Sequence, residues 1–492
     1  MSNVKSQVVW STIFSYLGVA IGFVSQAIFI PIVLTKEQNG LLGILISYIF
    51  IFAQLASLGF NSAGSKFFHL FNKEHNYKGY WYIGSIISII GLLIGSAIYI
   101  GLKPILLADT NSTLLSQYYY WVLPLGLFLM VFNFFDHFIK NLMYTVFGSF
   151  LLQFLQRFII LLAVLVLYYF AITFDTFMYL WSLGFAIPAI LMAIYAFNKS
   201  RFSFSQVKWS EVINDNRFVH YSFITVLTGF STMLVMYIDK IMISIYINLE
   251  DTGIYHTASF FGSLMLLSMI AMNKASIPLV TKSLEEKDFT TLKVIYQKSC
   301  LTQLMLGVLI FLGVVINIDS VFSFLPDGYE KGKWVVIWLC LAKLVDIATG
   351  INGVIINYSS YYKYDAIMIV GLIILTIAFN WFFIPQYGIV GAAFATLLST
   401  ALYNITKTIL VQVFFKIQPF TWMNFKVFSF GVLLLVCFIL LPSWNDSLIH
   451  IILTVVYKSG ILILLYLIGM YYLSASQELN SLINKSVQWI KK

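Results

Sequence analysis

The chain has 492 residues, 60% of them hydrophobic and 10% charged, with a formal net charge of +9. Soluble domains carry about 25% charged and 45–50% apolar residues, so water cannot be the solvent for most of this surface. A soluble globule is excluded, and the positive balance resides mainly in Lys and Arg between apolar runs, which gives no argument for nucleic-acid binding.

In chain order, breaks at polar, Gly and Pro clusters predict an all-α polytopic membrane protein. About fourteen transmembrane helices are expected, at 8–34, 40–60, 80–101, 118–138, 145–169, 175–197, 218–247, 253–272, 294–316, 333–357, 365–385, 388–413, 424–441 and 448–473. Each approaches the roughly 17–25 residues that cross a bilayer as a helix. The runs are solidly apolar, whereas a barrel strand alternates every second residue. The first run is too long for the apolar region of a signal peptide and is expected to remain as a span. With the N-terminus cytoplasmic, nineteen of the 29 Lys and Arg fall in inner segments, four in outer loops and six within spans. This bias requires an even number of spans and places both termini in the cytoplasm. The connections 61–79, 198–217 and 273–293, and the tail with Leu479, Leu482, Ile483 and Trp489 near one face, read either as helices on the membrane surface or as solvated linkers.

Cys300, Cys340 and Cys437 lie within apolar runs without CxxC or His-rich spacing, so neither a disulfide frame nor a metal site is expected. No GxxxxGK[ST] or HExxH motif occurs. No cofactor and no catalytic residue are expected.

Two loops look alike. LTKEQNGLLG (34–43) and NLEDTGIYHT (248–257) align at Gly40 and Gly253, with Glu37 and Glu250 three residues earlier. Six spans separate the copies, so orientation is preserved. This suggests two parallel six-helix halves, a transporter arrangement, with the last two spans outside the repeat. The expected division is 1–200, 201–415 and 416–492.

A charge deep in an apolar span costs roughly 2.5–3.5 kcal/mol on insertion scales, so each buried charge asks for a reason. Asp136 and Lys140 stand at i, i+4 at the inner end of the fourth span, as an ion pair or gate, although snorkelling explains much of this. Arg157 lies about a dozen residues into the fifth span and cannot discard its charge. Gln153, one turn earlier, and the adjacent Gln156 are polar companions. The guanidinium fork suits a pair of diphosphate oxygens; the alternative is an arginine locked to an interior carboxylate or to carbonyls. Asp239 and Lys240 are neighbours about 100° apart on the seventh span and cannot satisfy each other well. One reading has Lys240 lining a lumen while Asp239 anchors a helix contact; the other makes both an interhelical brace near the outer surface. Lys343 and Asp346 share a face of the tenth span, either paired, or with the lysine open to phosphate and the aspartate gating. Lys298, Lys407 and Lys458 are mostly explained by snorkelling. Summed over the spans, residues at their ends set aside, Arg157 and five lysines face only Asp136, Asp239 and Asp346, a cationic interior that attracts anions.

The twelfth span opens with YGIVGAAFATLLS, whose small residues allow close helix packing. Together with PIVLTKEQNGLLGILIS, YIDKIMISIYINLEDTGIYHTASF and fourteen spans, this pattern resembles the Wzx-type polysaccharide and O-antigen flippases. These belong to the multidrug/oligosaccharidyl-lipid/polysaccharide exporter superfamily. The resemblance covers most of residues 1–415. It implies two six-helix lobes around a central cavity, with alternating access carrying an undecaprenyl-diphosphate-linked glycan outward across a bacterial inner membrane, for cell-surface polysaccharide, O-antigen or lipopolysaccharide synthesis. The expected partners are an anionic lipid-linked glycan and membrane lipids. Coupling to H+ or Na+ is compatible, a monomer is the default, and no nucleic acid is involved. Rival readings are a peptidoglycan lipid-precursor flippase and a cation-coupled multidrug exporter of the same superfamily. A membrane-embedded glycosyltransferase or polymerase is a remote rival, because the outer loops are short and carry only scattered acids.

Overall fold

The computed structural model describes residues 2–71, 78–107, 112–199, 216–444, 447–477, 480–481 and 484. Among the described residues every regular element is a helix. The tail residues Leu479, Leu482, Ile483 and Trp489, and most of the connection 198–217, lie outside them.

Twelve helices are long and apolar enough to cross a bilayer. In chain order these are α1 (Val9–Val33), α2 (Lys36–Ala56), α3 (Gly79–Gly101), α4 (Thr113–Asn141), α5 (Val146–Phe170), α6 (Phe174–Lys199), α7 (Phe218–Tyr246), α8 (Leu249–Glu285) and α9 (Phe289–Phe322). Then come a 54-residue helical stretch, Tyr362–Phe415, and two last helices, Trp422–Ile439 and Leu448–Tyr472. Two interruptions bring twelve to the expected fourteen. The shorter helix Lys333–Ala348 (α10) breaks and resumes at Asn352–Asn357. The stretch Tyr362–Phe415 is two helices, α11 (362–387) and α12 (389–415), meeting at Gly388 with φ 59° and ψ −141°. That backbone region is open almost only to glycine, and Pro385 three residues earlier removes a helical donor. The last two helices are α13 and α14. The chain is thus built as a multi-pass membrane protein. One expected connection is mostly absent: α8 continues to Glu285 and α9 begins at Phe289, so residues 273–293 are largely helical extensions. Their Lys-, Leu- and Glu-rich sequence keeps helix propensity high.

The chain forms two compact units, residues 1–257 with 373–389, and residues 258–372 with 390–492. In the first, α2 is the central helix. It starts on a capping box in which Thr35 and Gln38 satisfy each other's backbone N–H. It is apolar nearly all round and buries Leu41, Ile44, Leu45, Ile49 and Phe52 against α3, α4 and α7. A second cluster gathers aromatic rings, with Trp81 and Phe138 centroids 4.2 Å apart. In the second unit α9 is the hub, packing against α10, α13 and α14. The Tyr466 hydroxyl of α14 donates to the Met305 carbonyl of α9 at 2.8 Å.

Candidate functional site

The two similar loops meet. A Cβ on Gly40 would lie 1.9 Å from the Leu249 carbonyl oxygen, and one on Gly253 would lie 2.1 Å from the Lys36 carbonyl oxygen. Lys36 and Leu249 are related by the same 213-residue offset as Gly40 and Gly253. Each glycine therefore seats on the helix start of the other copy, a local two-fold contact that no side chain permits. Asn39 of α2 closes it, its amide donating to the Gly253 carbonyl (3.0 Å) and to the Thr257 hydroxyl (2.8 Å).

Asp239 and Lys240 lie about two turns before the end of α7, and their partners diverge as the 100° step requires. The Asp239 carboxylate accepts from the Tyr255 hydroxyl of α8 (2.7 Å) and from the Asn380 amide of α11 (2.6 Å). The Lys240 ammonium lies 2.9 Å from Nδ1 of His256 on α8. Asp239 and Lys240 are each 7% exposed. The His256 ring is pressed on Gly43 of α2, where a Cβ would come within 2.9 Å of Cγ. This geometry matches the brace reading. Lys240, read from the sequence either as lining a lumen or as part of a brace, is here held inside the protein by a ring that the sequence does not place beside it.

Arg157 has different surroundings. It opens the regular part of α5, directly after a π-helical turn over Phe150–Leu155, and α1 carries a second π turn over Val24–Phe29. Such widened turns recur at functional sites. The two helices pack together, and the guanidinium lies over Gly22, whose Cβ would sit 3.1 Å from Nη1. Tyr237 of α7 interacts with it electrostatically. Among the described residues no carboxylate lies within ion-pair distance of Arg157. Gln156 is buried and Gln153 half-buried. Gln153 falls inside the π turn, which does not keep the i, i+4 register that would put it on the Arg157 face. Sequence reasoning missed Gln26, four residues after Gly22. Its side-chain oxygen is buried with no hydrogen-bond partner among the described residues.

In the second unit, Lys343 and Asp346, read from the sequence as either paired or separate, form no ion pair among the described residues. Asp346 accepts instead from the Asn404 amide of α12 at 3.0 Å. The Asn404 oxygen in turn accepts from the Thr349 hydroxyl, to which Asn352 donates, both at 3.1 Å. This chain of bonds ties the break in α10 to α12 and engages one oxygen of the carboxylate. Lys343 is half-buried, with Gly262 of α8 beside its stem, and no ion pair engages it among the described residues. Lys407 does not snorkel: it pairs with Asp365 at 2.7 Å, the side chains being 8% and 13% exposed. Asp365 was overlooked because it stands in the first turn of α11. Lys458 donates to the Ser443 hydroxyl at 2.6 Å. The cationic excess summed from the sequence is accordingly smaller than it looked, and Arg157 and Lys343 are members of it with no ion pair among the described residues. At the end of α4, Asp136 and Lys140 form an ion pair, and the other Asp136 oxygen lies against Gly148.

Neither a protein-family model nor a curated protein matches the sequence. Solved structures do resemble the fold. A lipid II flippase MurJ in an inward closed conformation shares 14% identity at a TM-score of 0.68, over 92% of this chain and 98% of that one. An inward-facing multidrug resistance MATE family transporter of the MOP superfamily shares 12% identity at 0.58, over 87% and 95%. A MOP superfamily transporter from Pyrococcus furiosus, described as having a binding pocket of reverse polarity, shares 12% at 0.58, over 84% and 96%. At such identities the likeness concerns architecture alone: the fold of this chain resembles that of these flippase and transporter structures.

Proposed function

We propose that the protein is a flippase that moves an anionic lipid-linked glycan, an undecaprenyl-diphosphate oligosaccharide, across a bacterial inner membrane for surface-polysaccharide synthesis. The observation that carries this reading is Arg157. It is a permanent charge within a span, seated on α1 among π turns, with no carboxylate partner among the described residues. A guanidinium so placed needs an anion or water, and its fork suits a diphosphate. Lys343, with no ion pair among the described residues, adds a second cation, in the other unit. A cationic drug would be repelled by both. The likeness of the fold to flippase and transporter structures supports movement.

The test is transfer of a fluorescent undecaprenyl-diphosphate glycan across proteoliposomes. Arg157→Lys keeps the charge and removes the fork; loss of a charge-assisted hydrogen bond of about 1.5–3 kcal/mol predicts roughly ten- to hundredfold slower transfer. Unchanged transfer by Arg157→Ala at equal protein levels overturns the assignment. Transfer of a peptidoglycan lipid precursor in preference to other glycans assigns the same cations to that substrate.

A further inference from the structure

We propose that His256 is a coupling-proton site: a proton taken up by its ring releases the contact between the α1–α2 and α7–α8 loops. This deepens the transporter reading and rests on it for the purpose of the motion.

The argument starts from the 2.9 Å separation between Lys240 Nζ and His256 Nδ1. One nitrogen must donate and the other must offer a lone pair. Whichever way the bond runs, the two side chains together carry at most one positive charge. A further proton places two cations at contact distance, at a site where both residues are buried. Repulsion there is weakly screened. Among the described residues, charged and titratable groups around the pair stand on two helices. On α7 these are Asp239 and Tyr237, whose ring centroid is 5.9 Å from Nζ; on α8 there is Tyr255. Asp239 already balances the single charge while accepting from Tyr255 and Asn380. From α2 the ring meets Gly43, and from α11 the cluster meets the Asn380 amide, neither of them titratable.

The histidine stands where its displacement has a consequence. It presses on Gly43, one turn along α2 from Asn39. Asn39 in turn bonds Gly253 and Thr257, the latter adjacent to His256 in sequence. Moving the ring away from Lys240 changes its packing on Gly43, beside those bonds and the reciprocal glycine seats. With these loops on the outer side, protons arriving from that side favour opening outward, and their release inward favours closure. That sequence couples inward proton movement to outward export.

Nitroxide labels on Lys36→Cys and Glu250→Cys, with the exposed Cys437 replaced by Ser, report the loop separation by pulsed spin-resonance distances in the full chain. No substrate is added, so failure of the substrate assignment leaves this readout intact. A short distance at pH 8 and at least a tenfold larger share of a longer distance at pH 5 are expected. His256→Asn keeps an acceptor for Lys240 but does not titrate, and should stay short at both values. Lys240→Gln removes the second cation and should shrink the response; it also serves if His256→Asn does not yield a monodisperse protein. Equal distance distributions for the parent at both pH values, or a full response retained by either variant, overturn the proposal.

Discussion

Arg157 and Lys240 are both cations within spans of the same compact unit, and they are treated in opposite ways. Lys240 is met by His256, and its neighbour Asp239 by a hydroxyl and an amide. Arg157 is met by a glycine and no carboxylate among the described residues. Burial of a charge is tolerated when protein dipoles or counter-charges replace water. Where they do so, the group belongs to the scaffold; where they do not, water or a ligand must complete the site. The contrast is the basis for the proposed division into brace and binding group.

The largest effect should come from breaking the brace. Asp239→Ala removes the acceptor of two buried donors and the counter-charge of Lys240, and should cost about 3–5 kcal/mol, read as a fall in the thermal unfolding midpoint of the purified protein. A loss below about 1 kcal/mol would show that Asp239 is not a scaffold charge. Next is Gly253→Ala, which forces a methyl into the 2.1 Å approach to the Lys36 carbonyl. Overpacking of this kind costs about 1–3 kcal/mol, and the labelled loops should separate at every pH. Arg157→Leu should change stability by less than about 1 kcal/mol, because no buried pair is broken, while abolishing transfer of the lipid-linked substrate. A midpoint fall as large as that of Asp239→Ala would erase the distinction.

The smallest effect concerns a carboxylate outside the spans. Asp288 caps α9, and hydrogen bonds from the Thr290 hydroxyl and then from Thr291 hold its carboxyl down to about 2. A depressed carboxyl contributes to the folded state above its ordinary pKa and loses that contribution as the pH falls toward its folded value. Amide exchange at the start of α9, corrected for its intrinsic pH dependence, should therefore be constant from pH 7 to 5 and accelerate only on descending from about 4 to about 2. Asp288→Asn should flatten that response. Acceleration already at pH 6 would point to another group.

Much of the fold was legible because a membrane span announces itself locally. The break near residue 388 could be read from Pro385 and Gly388, and the fourteen-span count follows once that break and the interruption in α10 are recognised. The similarity of the loops around Gly40 and Gly253 was visible in ten residues, but not that the copies touch. The candidate site was legible as a set of charges and illegible as a set of contacts. Lys343 and Asp346 share a helical face, yet Asp346 turned to Asn404, 58 residues away. Lys407 looked like a snorkelling lysine until Asp365 was found beside it. Gln26 gave no signal, since one glutamine in an apolar helix reads as incidental.

The sequence by itself determined that this chain crosses a bilayer many times and carries costly charges within its spans, because hydrophobicity and charge belong to each residue and add along the chain. Tertiary structure alone decided which of those charges are compensated. The Asp239–Asn380 bond spans 141 positions, and such partners are selected by helix packing, on which local composition is silent. Only folding could show that Lys240 has a histidine against it and Arg157 a bare glycine.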